Sequence, residues 1–332
     1  MDRSKPKSES RVGSQNSPRL PVIDAARGAA LAAMAVYHLV WNLAFFGLVA
    51  PELVQKPLFL AFGHSVAIAF LALVGVSLAL AARDGLKLAA FWRRLGFVFA
   101  AALLVTLVTS WIFPDSHVGF GILHCILAAS LLGLLFLGRP WPLAALTGTA
   151  IIIAPWLIAG AHFELIQYWS GLGAVEPRSN DWRPFFPWAG FTLLGLAGAQ
   201  AFLARGLPER MTGWRESGAI SRILTLGGRH SLAFYLAHQP VLFALVFIAS
   251  QVIGPPPADR DQPMFHASCV GQCVKAGAGR EFCESACTCV VREANKAGLW
   301  DKMTGGRMNE ADRSRYDGLT QQCLRASPPK AP

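Results

Sequence analysis

Charge is what this sequence has least of. Only 15% of its 332 residues are Asp, Glu, Lys or Arg while 53% are apolar, against roughly 25% charged residues in a typical soluble domain. That balance argues against a water-soluble globule. The net charge of +10 argues little for a nucleic-acid partner, because the basic excess is split among short segments between apolar runs and forms no single basic face. Cysteine is almost missing from the first 268 residues, where only Cys125 occurs, and the other six cysteines follow at 269, 273, 283, 287, 289 and 323. Aliphatic residues are scarce in residues 1–21, a stretch too polar to offset its ordering entropy and therefore expected to be a disordered arm. No small-residue cleavage site follows the first apolar run, which is too long for the core of a signal peptide and reads as an anchor. No internal repeat of the kind common in secondary transporters is visible.

What is present is a series of long apolar runs. Stretches free of Asp, Glu, Lys and Arg lie at about 28–49, 58–82, 95–113, 121–137, 141–160, 186–204 and 231–253, each near the ~20 residues that carry a helix across a ~30 Å hydrocarbon layer. The expected fold is all-α: a polytopic membrane protein of seven transmembrane helices over residues 22–253. Gly138, Arg139, Pro140 and Pro142 break the 121–160 region into two spans joined by a tight turn. With the N-terminus inside, the inner segments hold six Lys or Arg in 1–27, four in 83–94, one in 138–140 and five in 205–230, whereas the outer loops hold three, Lys56, Arg178 and Arg183. Cytoplasmic loops carry such an excess, and seven spans then place the C-terminus outside.

The tail tests that orientation separately. A Pro-rich linker is expected over 254–262 and a cysteine-rich helical domain over 263–326. Disulfides need an oxidising compartment, so a cysteine-rich tail fits an outer, periplasm-like location. The Cys-x3-Cys-x9-Cys-x3-Cys spacing puts two cysteines one turn apart on each of two short helices. An antiparallel hairpin of those helices sets Cys269 opposite Cys287 and Cys273 opposite Cys283, leaving Cys289 for Cys323. The spacing resembles the twin Cys-x3-Cys hairpins of small disulfide-stapled proteins. A zinc site with four cysteine ligands is the competing reading and suits a reducing compartment better.

Inside the spans the ionisable side chains are His38, His64, His124 and His238 together with Cys125, Tyr37 and Tyr235. An ionisable group at membrane depth is a functional hypothesis by default, and its bland counterpart is a neutral histidine hydrogen-bonded between helices. His117, His162, His230 and His266 fall in loops or the tail and read as solvated.

The first span opens Ile23-Asp24-Ala25-Ala26-Arg27-Gly28-Ala29 and continues to Tyr37-His38-Leu39-Val40-Trp41-Asn42. Further on come Leu73-Val74-Gly75-Val76-Ser77, Phe120-Gly121-Ile122-Leu123-His124, Pro184-Phe185-Phe186-Pro187-Trp188 and Tyr235-Leu236-Ala237-His238-Gln239-Pro240. In this order and at these depths the chain, over residues 20–250, resembles the short bacterial members of the heparan-α-glucosaminide N-acetyltransferase catalytic-domain family, within the transmembrane acyltransferases. The cysteine tail is no part of that resemblance. It implies an enzyme of the bacterial inner membrane that takes an acyl group, acetyl in the first instance, from cytoplasmic acyl-coenzyme A and delivers it to a sugar or glycan on the outer side. The lysosomal branch carries Asn where His38 stands, so the role of His38 follows the bacterial branches, and both O- and N-transfer remain open.

The residues make chemical sense beside the resemblance. Acyl transfer needs a base to take the acceptor proton, and histidine is the usual one near neutral pH. His38, about 16 Å above Arg27 at 1.5 Å per residue, is the candidate base, with an acyl-histidine intermediate as the lesser option. Arg27, Arg93 and Arg94 are candidates for the coenzyme phosphates, with positive-inside anchoring as their other explanation. Asn42, His124, Asp181, Arg183 and His238 are candidate acceptor or passage residues, and the 161–185 loop adds Glu164, Glu176, Arg178, Trp169, Trp182 and Phe185. No metal is expected. The rival readings are a proton-coupled transporter or flippase built on the four membrane histidines and a non-catalytic anchor for the tail.

Overall fold

The computed structural model describes residues 20–50, 52–83, 85–160, 166–173, 176–206, 218–253, 258–304 and 308–326. The expected disordered arm up to residue 19, His162, Glu164 and Pro255-Pro256-Pro257 lie outside them. Among the described residues there are helices and no strands. In order they are α1 (Pro21–Phe45), the short α2 (Glu52–Gln55), α3 (Pro57–Ala82), α4 (Leu88–Ile112), α5 (Ile122–Leu134), α6 (Trp141–Ile158), the short α7 (Gln167–Ser170), α8 (Phe185–Ala204), α9 (Gly218–Arg229) and α10 (Ser231–Ile253). The tail follows as α11 (Ala258–Lys275), α12 (Arg280–Lys296), α13 (Trp300–Thr304) and α14 (Glu310–Ala326).

Six of these helices, α1, α3, α4, α6, α8 and α10, are long and apolar enough to cross a membrane; the chain is an integral membrane protein. α1 and α3 both open on proline, whose missing N–H costs nothing in a first turn. α1 and α4 begin seven residues before the apolar runs that announced them, at Pro21 and Leu88. The helix continues through charge because Asp24 and Arg27 sit one turn apart and pair with each other.

The run at 121–137 makes a helix of only 13 residues, α5, about 20 Å long. It nevertheless spans the same depth as α8. At one end the Ile122 N–H donates to Asp181 Oδ2 (2.9 Å) just before α8 begins, and at the other Gln200 Nε2, in the last turns of α8, donates to the Phe136 carbonyl (2.9 Å). Turn residues after Leu134 carry the segment on to the last turns of α8.

The contacts fall into two compact units, one of residues up to Met34 with His64–Ala237, the other of Ala35–Gly63 with residues from His238 on. In the first, α3, α5, α6 and α8 enclose a core of Leu71, Leu78, Ala129, Ala144, Leu193 and Leu196. Lipid tails are as apolar as leucine, so membrane helices gain from close packing over small residues. A Cβ on Gly75 would run into the Thr192 carbonyl, and one on Gly195 into that of Ala72, so α3 and α8 touch backbone to backbone. In this unit the segments around 83–94, 138–140 and 205 gather at one end, where Arg83, Arg139, Trp141 and Gln200 line one depression. The 113–121 and 159–185 segments meet at the other, joined by Asn180 N–H to Ser116 O (2.9 Å) and Gly160 N–H to Leu172 O (2.8 Å). The loops expected to lie on one side of the membrane thus share one end of the unit.

The second unit contains the tail. Disulfides join Cys269 to Cys287, Cys273 to Cys283 and Cys289 to Cys323, which excludes a four-cysteine zinc site. α11 and α12 form the hairpin, turning at Gly277, whose φ of 93° is the left-handed conformation glycine adopts freely. Val270, Cys283, Ala286, Cys287, Val290, Ala294, Leu299, Trp300 and Cys323 are buried. α11 starts at Ala258, inside the stretch expected to be linker, since no proline or glycine occurs between 258 and 262. His266, expected to be solvated, is held at 2.9 Å from Thr288 Oγ1.

Candidate active site

Two of the four membrane histidines meet. His38 on α1 and His238 on α10, 200 residues apart in sequence, lie with ring centroids 5.1 Å apart and ring planes tilted by 54°. Tyr37 stands edge-on to His38 at 5.4 Å and is itself stacked on Phe59 at 4.7 Å, which fixes one wall of the pair. One turn along α1, Asn42 is completely buried, and its Oδ1 accepts a hydrogen bond from Gln239 Nε2 at 3.1 Å. The i, i+4 spacing of His38 and Asn42 puts both on one face of α1. On α10, His238 and Gln239 stand beside Pro240, which supplies no N–H to the preceding turn and loosens the helix there. All of these groups belong to the second unit.

The basic end of the first unit holds a second cluster. Asp24, buried within α1, is 2.9 Å from Arg27 Nη1 and 3.7 Å from Arg229 Nε, and Arg27 Nη2 also donates to Ser77 Oγ on α3. Two guanidinium groups thus share one carboxylate. α9 reaches Asp24 by direct backbone contact: a Cβ on Gly28 would strike the Leu224 carbonyl, and one on Gly228 that of Asp24. Arg93 and Arg94, in the second turn of α4, are exposed, near the positive end of that helix's dipole. Arg94 is close enough to Arg27 for their charges to interact.

The opposite end of the first unit carries the other predicted residues. Asp181 caps α5 through the Ile122 N–H and lies 4.0 Å from Arg183 Nε. The Arg183 guanidinium sits 4.8 Å over the ring of Trp188, and the His64 ring meets the same indole edge-on at 5.5 Å. His124 is committed locally. Its Nδ1 accepts the Gly121 N–H (3.2 Å), which places the ring proton on Nε2, facing Thr106 Oγ1 at 3.4 Å. His117, read as solvated, stacks on Tyr168, whose hydroxyl donates to the His117 carbonyl. Trp182 Nε1 donates to the Tyr168 carbonyl, so Trp182 serves the loop's own fold, whereas Trp169 is 60% exposed.

His38, His238 and Asn42 are therefore together, as are Asp181 and Arg183, while Arg27 is tied to Asp24. The partners Gln239, Ser77, Arg229 and Asp24 were not singled out as site residues from sequence. Asp24-x2-Arg27 carried a readable signal in its one-turn spacing; Gln239 carried none beyond its place next to His238.

The family model described as heparan-alpha-glucosaminide N-acetyltransferase, catalytic, matches residues 19–240, two thirds of the chain, and takes in both histidines, Asn42 and the Asp24 cluster but not the disulfide tail. No curated protein and no solved structure matches the chain. By that match this integral membrane protein belongs to the heparan-alpha-glucosaminide N-acetyltransferase catalytic family.

Proposed function

We propose that the protein moves an acetyl group from acetyl-coenzyme A, bound at the basic end of the helical body on the cytoplasmic side, to a hydroxyl or amine of a sugar or glycan on the outer side. The observation that carries the reading is the His38–His238 pair, 5.1 Å apart among apolar helices of a family-matched acetyltransferase domain. His38 takes the proton of the acceptor O–H or N–H while the acceptor oxygen or nitrogen attacks the thioester carbonyl. The C–S bond then breaks, and the proton on His38 goes to the departing coenzyme thiolate, restoring neutral imidazole. His238 fixes the orientation of His38 and spreads the charge that His38 acquires.

Arg93 and Arg94, exposed and in no ion pair with a carboxylate among the described residues, take the larger share of the coenzyme phosphates, and Arg27 adds its own charge. Asp181 and Arg183, beside the Trp188 ring, suit a sugar acceptor, which needs hydrogen-bonding groups next to an aromatic face. The excess of basic residues in the segments that gather at one end supports that end as cytoplasmic, and the three disulfides support an oxidising, periplasmic side for the tail. We place the chain in a bacterial inner membrane with lipids and a small glycan as its partners.

The test is transfer itself. Purified full-length protein incubated with radiolabelled acetyl-coenzyme A and envelope glycans should label the glycan, and His38→Ala should abolish most of the label. No label with any hydroxyl- or amine-bearing glycan, or equal label with His38→Ala, overturns the reading. A four-histidine proton relay, the transporter alternative, is disfavoured by His124, whose ring is hydrogen-bonded to the start of its own helix.

A further inference from the structure

The amide pair next to the histidines is incomplete. Asn42 has no exposed surface, Gln239 Nε2 donates to its Oδ1, and among the described residues Asn42 Nδ2 and Gln239 Oε1 are buried with no hydrogen-bond partner. Two amides joined by a single hydrogen bond leave one NH2 group and one carbonyl without a partner, and with Gln239 Nε2 donating to Asn42 Oδ1 the NH2 group left over is that of Asn42. Leaving a buried donor unmade costs roughly 1–3 kcal/mol, so a donor that stays open beside an ionisable pair calls for an occupant. Burial, the fixed turn of the amide and the place on the histidine face all point the same way.

We infer that Asn42 is the oxyanion donor of the transfer reaction, held in orientation by Gln239; this rests on the acetyl-transfer reading above. When the acceptor attacks the thioester, the carbonyl oxygen takes the negative charge of the tetrahedral intermediate, and a preorganised N–H aimed at it lowers the barrier. Spacing fits the task. One helical turn separates His38 from Asn42, about 6 Å of rise, and a base and an oxyanion donor that grip two oxygens of one tetrahedral carbon through hydrogen bonds of ~2.7–3.1 Å stand roughly 5–7 Å apart. Asn42 then gives its open N–H to the thioester carbonyl of bound acetyl-coenzyme A, and that hydrogen bond strengthens as charge develops and relaxes when the carbonyl re-forms and the C–S bond breaks. Gln239 is a positioning residue: its hydrogen bond sets which side of the Asn42 amide faces away from α10.

The experiment reads the carbonyl directly. Full-length protein in lipid nanodiscs is loaded with acetyl-coenzyme A labelled with carbon-13 at the acetyl carbonyl, and the bound C=O stretch is measured by infrared difference spectroscopy for wild type, His38→Ala, Asn42→Leu and Gln239→Met. A donor on the oxygen lowers the frequency, so wild type and His38→Ala should share a lowered band that Asn42→Leu, close in size and without the amide, shifts back up. Radiolabel transfer by Asn42→Leu should fall by ~10²–10³-fold in kcat, the usual loss of one oxyanion donor, with a far smaller change in the acetyl-coenzyme A dissociation constant. Gln239→Met, which leaves Asn42 in place and unaimed, should broaden the band and lose a smaller factor; it also keeps the test decisive if Asn42→Leu fails to fold. A band at the same frequency and width in wild type, Asn42→Leu and Gln239→Met overturns the inference alone. Absence of acetyl-coenzyme A binding by wild type overturns the functional reading and this inference with it.

Discussion

At the scale of single residues, His38 and the arginines make separable demands. A positioned base contributes typically ~10²–10⁴-fold, so His38→Ala should lower turnover by that factor while acetyl-coenzyme A binding, measured by titration calorimetry, stays nearly intact. His64→Ala is the control: His64 is exposed and touches Trp188 at the far end of the first unit, and turnover should hold. Arg93→Ala with Arg94→Ala should weaken coenzyme binding severalfold without moving the melting temperature, because both side chains are exposed. Arg27→Ala should lower both binding and melting temperature, since it strips the buried Asp24 of its 2.9 Å partner and Ser77 of its donor. Equal melting temperatures for the two arginine variants would show that the Asp24 cluster is not structural. The sequence made His38 conspicuous because a titratable ring in an apolar run stands out. It could not make the His238 pairing conspicuous, since run lengths say nothing about which helices are neighbours.

At the scale of elements, apolar runs located every membrane-length helix, yet helix ends moved wherever charge was satisfied internally. Counting to the first charged residue ends α1 at Gly28, but Asp24 and Arg27 pair with each other and with Arg229 and Ser77, so the helix runs on to Pro21. α9 was hidden for a related reason. Its Arg222 and Arg229 counted as loop charge, and only the Gly28 and Gly228 contacts reveal a helix lying against α1. The α3–α8 seam gives a direct check. Gly75→Val must displace the Thr192 carbonyl, and overpacking of this kind costs typically ~1–3 kcal/mol; thermal unfolding in detergent should come earlier by several degrees. In the tail, α14 starts with a reciprocal cap in which Asn309 Oδ1 accepts the Asp312 N–H at 2.8 Å, and Lys302 Nζ donates to Asp312 at 2.9 Å. Lys302 holds the Asp312 carboxyl below its ordinary range. Its folded value is therefore below the ~3.9 of an unfolded chain, so the contribution is complete above that pH and fades as pH falls through the folded value. Acid titration of tail unfolding should show a loss below about pH 4 that Lys302→Met removes.

At the scale of the whole molecule, loop charge and cysteine chemistry constrain orientation through unrelated physics. Segments 83–94, 138–140 and 205–230 carry ten Lys or Arg, and the 114–120 and 161–185 segments carry two. α5, too short by its helix alone, still joins the two ends of α8, and counted as a crossing beside the six long helices it makes the proposed total odd. All six tail cysteines are in disulfides, and the remaining cysteine, Cys125, is fully buried. The proposed periplasmic tail is supported by both lines, and one pair of measurements tests both. A reporter that works only in the oxidising compartment, fused after Pro332, should be active, and one that works only in the cytoplasm should be silent. Intact cells treated with a membrane-impermeant maleimide should show no labelling before reduction and labelling of the tail after it, with the tail losing its helical protease resistance because closing such loops contributes typically ~2–4 kcal/mol each. Free thiols before reduction, together with a cytoplasmic reporter signal, would remove a crossing and place the tail in a compartment where its three bridges could not persist.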